Sequence, residues 1–162
     1  MDNINANIDG QFSNGTPTKP EEDKLRLLIS DDSRLLRKKL REELEKLGCE
    51  VVEAANGKEA IMRDLEDEPD GVILDIVMPE VGGIEALQVI REVSPDVPIV
   101  MLSSAGTPQK LMQTLKMGAI DFIQKPYTKE QIVRAVAAIR KAKAKRLKKK
   151  EEELNAAGGA EQ

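Results

Sequence analysis

Gly71-Val72-Ile73-Leu74-Asp75-Ile76-Val77-Met78-Pro79 is one continuous apolar run carrying a single carboxylate, Asp75. A helix would need about ten residues or more, and this run is closed by Pro79 and the Gly82-Gly83 pair, so it predicts a short strand buried on both faces. Asp75 then sits at the strand's carboxyl end. In open parallel α/β sheets that edge is where ligands bind, so the charge is placed at the rim and not inside the core. A loop cap is the bland alternative for one carboxylate there, and its neighbours decide between the two readings.

Working outward, four more short apolar runs alternate with amphipathic stretches: Leu25 to Ser30, Glu50 to Ala54, Pro98 to Ser103 and Ile120 to Gln124. Between the first two strands, Leu35, Leu36, Leu40, Leu44 and Leu47 fall at helical spacing, with Ser33 as N-cap and Gly48 just past the end. Gly57 to Glu66, Gly83 to Val93 and Pro108 to Met117 supply three further helices. A fifth starts near Thr128, where Thr128 and Gln131 have the form of a capping box, with Ile132, Val133, Val136 and Ile139 as its docking face. Five βα units predict a flavodoxin-like (βα)5 fold, a doubly wound parallel sheet of strand order 2-1-3-4-5. Its switch point lies between the carboxyl ends of strands one and three, which gathers Asp31, Asp32 and Asp75.

Three converging carboxylates repel one another unless a cation is present. Mg2+ prefers oxygen ligands in octahedral geometry and leaves room for waters and a phosphate oxygen, so it is the cofactor this cluster predicts. Ser103, ending strand four, and Lys125, following strand five, belong at the same rim. A hydroxyl donor and an ammonium beside a metal site are the electrostatic parts that phosphoryl transfer requires. Asp75 is then the attacking carboxylate, forming an acyl phosphate.

Composition narrows the chemistry. The 162 residues contain no His and one cysteine, Cys49, which excludes an internal disulfide, a zinc cluster, a Ser-His triad and a phosphohistidine carrier. No stretch approaches the roughly twenty apolar residues of a membrane span, and the first twenty residues lack a secretory signal pattern, so a cytoplasmic protein is expected. Residues 20–139 hold 23 acids against 16 bases, whereas residues 140–150 hold eight Lys/Arg and no acid. The acidic, aromatic-poor body argues against nucleic-acid binding there, leaving the basic run as the one candidate for polyanion contact. Residues 1–23 read as a disordered tail, 24–140 as the folded domain, and 141–162 as a basic helical extension with a flexible C-terminal tail. Along that extension, Glu151-Glu152-Glu153 are expected to pair with the lysines before them.

The ordered set resembles the receiver domains of two-component response regulators, over about residues 24 to 140. The residues that carry the resemblance are Asp31-Asp32, Asp75 followed by Met78-Pro79 and Gly83, Ser103, and Lys125-Pro126. It implies that Asp75 accepts phosphate from the phosphohistidine of a sensor histidine kinase or phosphotransfer protein. Asp32 would bind Mg2+ directly, Asp31 chiefly through water, and the Val77 backbone carbonyl would complete the protein ligands. Lys125 would pair with the phosphoryl group, Ser103 would move to bond it, and Phe122 would turn inward as the switch aromatic. Lys125-Pro126 would be a cis peptide. A downstream protein would bind the face made by the fourth helix, fifth strand and fifth helix.

The stretches Met101-Leu102-Ser103-Ser104-Ala105-Gly106 and Gly118-Ala119-Ile120-Asp121-Phe122-Ile123 look most like chemotaxis-type stand-alone regulators. A receiver cut from a larger regulator remains the alternative. A Mg2+-dependent aspartyl phosphatase ranks lower, because Val77 stands where such enzymes commonly have an acid, and so does a flavin or nucleotide binder, because Asp31-Asp32 would repel its phosphate. No catalytic turnover of an external substrate is expected. Val77 and Ala105 offer no amide or acid to orient water, so these two positions, with any partner phosphatase, are expected to govern the life of the phosphorylated state.

Overall fold

A computed structural model describes residues 24–104 and 108–160. Five parallel strands, β1 (Arg26–Ser30), β2 (Glu50–Ala54), β3 (Gly71–Asp75), β4 (Ile99–Ser103) and β5 (Asp121–Gln124), form one sheet in the order β2-β1-β3-β4-β5. The helices are α1 (Arg34–Lys46), α2 (Gly57–Asp67), α3 (Gly83–Val93), α4 (Pro108–Lys116) and α5 (Lys129–Ala160). The flavodoxin-like fold expected from five βα units is the fold found. All five residues of β3 are buried, as a strand covered on both faces must be.

Alternation along the strands builds two cores. Leu27, Ile29, Ile73, Val100 and Leu102 face α1 and α5, meeting Leu40, Leu44, Ile132 and Ile139. Leu28, Val72, Leu74, Ile99 and Met101 face the other way, against Ala60 of α2, Leu87 and Ile90 of α3 and Leu111 of α4. Register fixes the rim: Ser30 lies across from Leu74, and Asp75 from Leu102, so β1, β3 and β4 end side by side.

Three expectations about apolar faces are corrected. Leu35 and Leu36 are 62% and 36% exposed, because α1 runs back from the carboxyl rim and its first turn has no sheet beneath it. Only Leu40 and Leu44 of α1 are buried. In α5 the docking stripe is Ile132, Ala135, Val136 and Ile139, while Val133 is 43% exposed; Val133 lies about 100° round the helix from Ile132, off that stripe. The capping box at Thr128 is formed, with Thr128 N donating to Gln131 Oε1 at 2.8 Å and Gln131 N donating to Thr128 Oγ1 at 3.3 Å.

Beyond the sheet α5 continues to Ala160, through the Gly158-Gly159 pair that reads as the start of a tail. Lys143 Nζ lies 3.1 Å from Asp70 Oδ1, tying the extension to the amino-terminal end of β3. Glu151, Glu152 and Glu153 make no ion pair among the described residues. Bases followed by acids run against the favoured order on a helix, where the acid precedes the base by four residues. The expected N-terminal tail, 1–23, lies outside the described residues.

Asp64 of α2 is buried and accepts a hydrogen bond from Ser94 Oγ at 2.6 Å. Burial pushes its carboxyl above the usual range, against the opposing effects of Ser94 and Arg91. A raised folded value contributes stability below the unfolded carboxyl value of about 3.9 that is lost as pH rises through the folded one. Asp64→Asn keeps an oxygen for Ser94 and removes the titration. Urea unfolding from pH 4 to 7 is expected to show the Asn variant gaining on the wild type as pH rises; a constant difference would contradict it.

Candidate functional site

At the carboxyl rim β1, β3, β4 and β5 each end at or next to polar residues of the site. After β1 the chain must leave the sheet and start α1 within three residues, and short polar side chains make that turn. Asp31 is buried and its Oδ1 accepts from Ser33 N at 2.9 Å, while Ser33 Oγ caps α1 by accepting from Leu36 N at 3.3 Å. Asp32 is exposed beside it. Asp75, 3% exposed, ends β3 and accepts on Oδ1 from Val77 N at 3.3 Å.

Lys125 joins the two strand ends. Its Nζ donates to Asp31 Oδ2 and to Asp75 Oδ2, each at 2.7 Å, with 15% of its side chain exposed. Lys125 N also donates to Ser103 O at 2.6 Å, which binds the turn after β5 to the end of β4. The Lys125-Pro126 bond is cis. Ser103 is buried, with its Oγ donating to Ser104 O at 2.9 Å. Phe122 is half-buried, packs on the core cluster under α2, α3 and α4, and lies across from Met101. Ala105 and Gly106 lie outside the described residues.

One ammonium between two buried acids leaves a net negative charge at the rim. Burial raises the Asp75 carboxyl, opposed by the Lys125 hydrogen bond. For Lys125, burial works downward, but the hydrogen bonds to Asp31 and Asp75 outweigh it and the ammonium is held above its ordinary value. Oxygens of Asp31, Asp32 and Asp75 all lie within 4.8 Å of one another. An all-oxygen set of this kind fits Mg2+, which would bring positive charge to a rim where one ammonium faces three carboxylates.

The loop after Asp75 is held tightly. Gly83 N donates to Ile76 O at 2.8 Å, and a Cβ on Gly83 would stand 1.9 Å from Asp75 O, so only glycine lets α3 start here. Glu80 has φ of 63°, a left-handed conformation that costs a non-glycine residue roughly 1–2 kcal/mol. That strain is stored five residues from Asp75.

Several site residues escaped sequence reasoning. Arg37 donates from Nη1 to Asp31 O at 2.7 Å and from Nε to Glu53 Oε1 at 2.9 Å, bracing the acidic turn from α1. Ser30 Oγ donates to Met78 Sδ at 3.1 Å, linking the β1 and β3 rims. Tyr127 is half-buried against the α1/α5 core, and burial, then Asp31, raises its hydroxyl. Arg37 reaches Asp31 from six residues away, but its contact with Glu53, that of Ser30 with Met78 and the packing of Tyr127 join residues distant in sequence.

Residues 27–137 match the model of the response regulator receiver domain. The chain belongs to that family. Receivers act in two-component phosphorelay signalling, and Mg2+ binding and a phosphorylated aspartate are typical of them. This receiver is 38% identical over 117 residues to the chemotaxis protein CheY of Thermotoga maritima, covering 72% of this chain and 98% of that protein. It is 45% identical over 105 residues to a protein-glutamate methylesterase/protein-glutamine glutaminase of Archaeoglobus fulgidus, but there it spans 63% of this chain and only 30% of the relative. The crystal structure of a response regulator receiver domain protein from Clostridium thermocellum superposes with a TM-score of 0.69 at 26% identity, covering 75% of this chain and 96% of that one.

Proposed function

We propose that this receiver is a single-domain response regulator whose phosphoacceptor is Asp75. The observation that carries the reading is the Lys125 ammonium bonded to both Asp31 and Asp75 beside the exposed Asp32. An Asp75 oxygen attacks phosphorus of a kinase phosphohistidine; the O–P bond forms, the N–P bond breaks, and the imidazole leaves to take a proton. Lys125 neutralises charge on the transferred group and the Ser103 hydroxyl donates to it, so positioning and electrostatics do the work. Asp31, Asp32, Asp75 and the Val77 carbonyl would hold Mg2+, which when bound offsets the charge on the phosphoryl oxygens.

Output follows as a population shift. Bonds from Lys125 and Ser103 to the phosphoryl group favour one arrangement of the turns after β4 and β5, and Phe122 turns inward with them. The face of α4, β5 and α5 then binds a downstream protein; its exposed apolar residues, Met112, Ile120 and Val133, are 54%, 42% and 43% accessible and support that use. That the match spans 98% of the Thermotoga maritima chemotaxis protein CheY supports the single-domain reading. Among the described residues no helix is long and apolar enough to cross a membrane, which agrees with a cytoplasmic site of action.

The reading is tested by the decay of the acyl phosphate. Val77 is 59% exposed two residues beyond Asp75 and presents no polar atom on its side chain to an attacking water. Val77→Asn supplies an amide that orients that water, and decay is expected to quicken several-fold, followed by phosphate release after removal of the donor. Unchanged decay would contradict the assignment of Val77 to the rim of the site.

A further inference from the structure

At the amino-terminal ends of the strands, on the opposite edge of the sheet from Asp75, the α5 extension and the ends of α2 and α3 enclose an open cleft of about 960 Å3. One wall is mainly cationic: Lys145, Arg146, Lys149 and Lys150 line it from α5, with Glu153 at its far end, and none of the four bases makes an ion pair among the described residues. The other wall carries Leu65 and Val93, 55% and 47% exposed, with Pro69 and Pro95 beside them. Leu147, 52% exposed, brings an apolar group to the cationic side.

We propose that this cleft docks an acidic, amphipathic segment of a partner protein, independently of the phosphoacceptor reading. Four unpaired cations in two helical turns repel each other, and an acidic partner relieves that repulsion while burying Leu65, Val93 and Leu147. The two walls together select a helix with apolar residues on one face and acids on the other. Asp64, Glu68 and Asp96 on the body wall require the partner's acids to lie on the face turned to α5, which an amphipathic segment meets and a nucleic acid, charged all round, does not; no aromatic side chain lines the cleft for stacking. Lys143 pairs with Asp70 where the extension leaves the body, so α5 is in contact with the body beside the cleft. Lying at the far edge from the rim, it serves as a tether whose occupancy does not follow phosphorylation.

The test uses the full chain and a fluorescent eighteen-residue peptide with leucines on one helical face and glutamates on the other, read by anisotropy. Saturable binding is expected, unchanged by Mg2+ with acetyl phosphate and lost when the peptide's glutamates become lysines. Lys145→Glu/Lys149→Glu and, separately, Leu65→Ser/Val93→Ser should each weaken it at least tenfold; all four residues are exposed, so both variants fold, and both should still be phosphorylated. Full affinity in the Leu65/Val93 variant would reduce the site to undirected charge and overturn the proposal. So would absence of saturable binding or tighter binding of duplex DNA of equal charge. Self-association through the cleft, or a gain in affinity on deleting residues 1–23 with their five acids and one base, would assign the cleft to this chain itself and overturn the external partner.

Discussion

Lys125→Met is expected to lose about 3 kcal/mol of stability at pH 7, because it strips the cation from two carboxylates that are almost fully buried. Lys125 Nζ touches Asp31 and Asp75 at 2.7 Å, and their side chains are 1% and 4% exposed, so solvent screening does little to soften the loss. Protonation of Asp75 limits the damage. Without Lys125 its carboxyl rises further, so the variant is penalised above that raised value and recovers as pH falls toward the unfolded value of about 3.9. Millimolar Mg2+ should restore stability at pH 7 by mass action, and by more than it stabilises the wild type, in which the ammonium already shares the same oxygens. Urea unfolding at pH 5 and 7, with and without Mg2+, measures all three effects. Wild-type stability at pH 7 without metal would show that the Lys125 bridge does not compensate the acidic cluster.

Gly83→Ala should cost about 3 kcal/mol and slow phosphoryl uptake together. The added Cβ would meet Asp75 O at 1.9 Å, Asp75 C at 2.7 Å and the Ile76 Cα at 2.7 Å, all backbone atoms that cannot rotate away. Either α3 moves off the sheet, losing contacts of Leu87 and Ile90, or the end of β3 moves and carries the Asp75 carboxylate with it. Gly158→Ala is the control. Its Cβ would meet nothing within 4 Å, so alanine there should stabilise α5 by up to about 1 kcal/mol without touching phosphorylation. Equal effects of the two substitutions would refute the close-approach explanation for Gly83.

The strands and the gathering of the site were legible because each is a local pattern. A five-residue apolar run is readily told from a long amphipathic stretch, and the right-handed crossover leaves few topologies, of which the order 2-1-3-4-5 brings Asp31, Asp32, Asp75, Ser103 and Lys125 to one rim. Helix faces were less legible: Leu35, Leu36 and Val133 fit an apolar period, yet whether a helix position is covered depends on how far the sheet extends beneath it. Arg37 was hidden for a related reason, since its role comes from Glu53 on a strand sixteen residues away. The course of α5 past the sheet was open because lysine, arginine and alanine are good helix formers whether or not they are packed.

Intact-mass spectrometry after incubation with Mg2+ and acetyl phosphate tests the central claim most directly. Uptake of one phosphoryl group is expected, abolished by a chelator and by Asp75→Ala, and retained in Lys145→Glu/Lys149→Glu. Undiminished uptake in Asp75→Ala, or no uptake by the wild type together with failure of a beryllofluoride analogue to bind, would contradict the assignment of Asp75 as the phosphoacceptor.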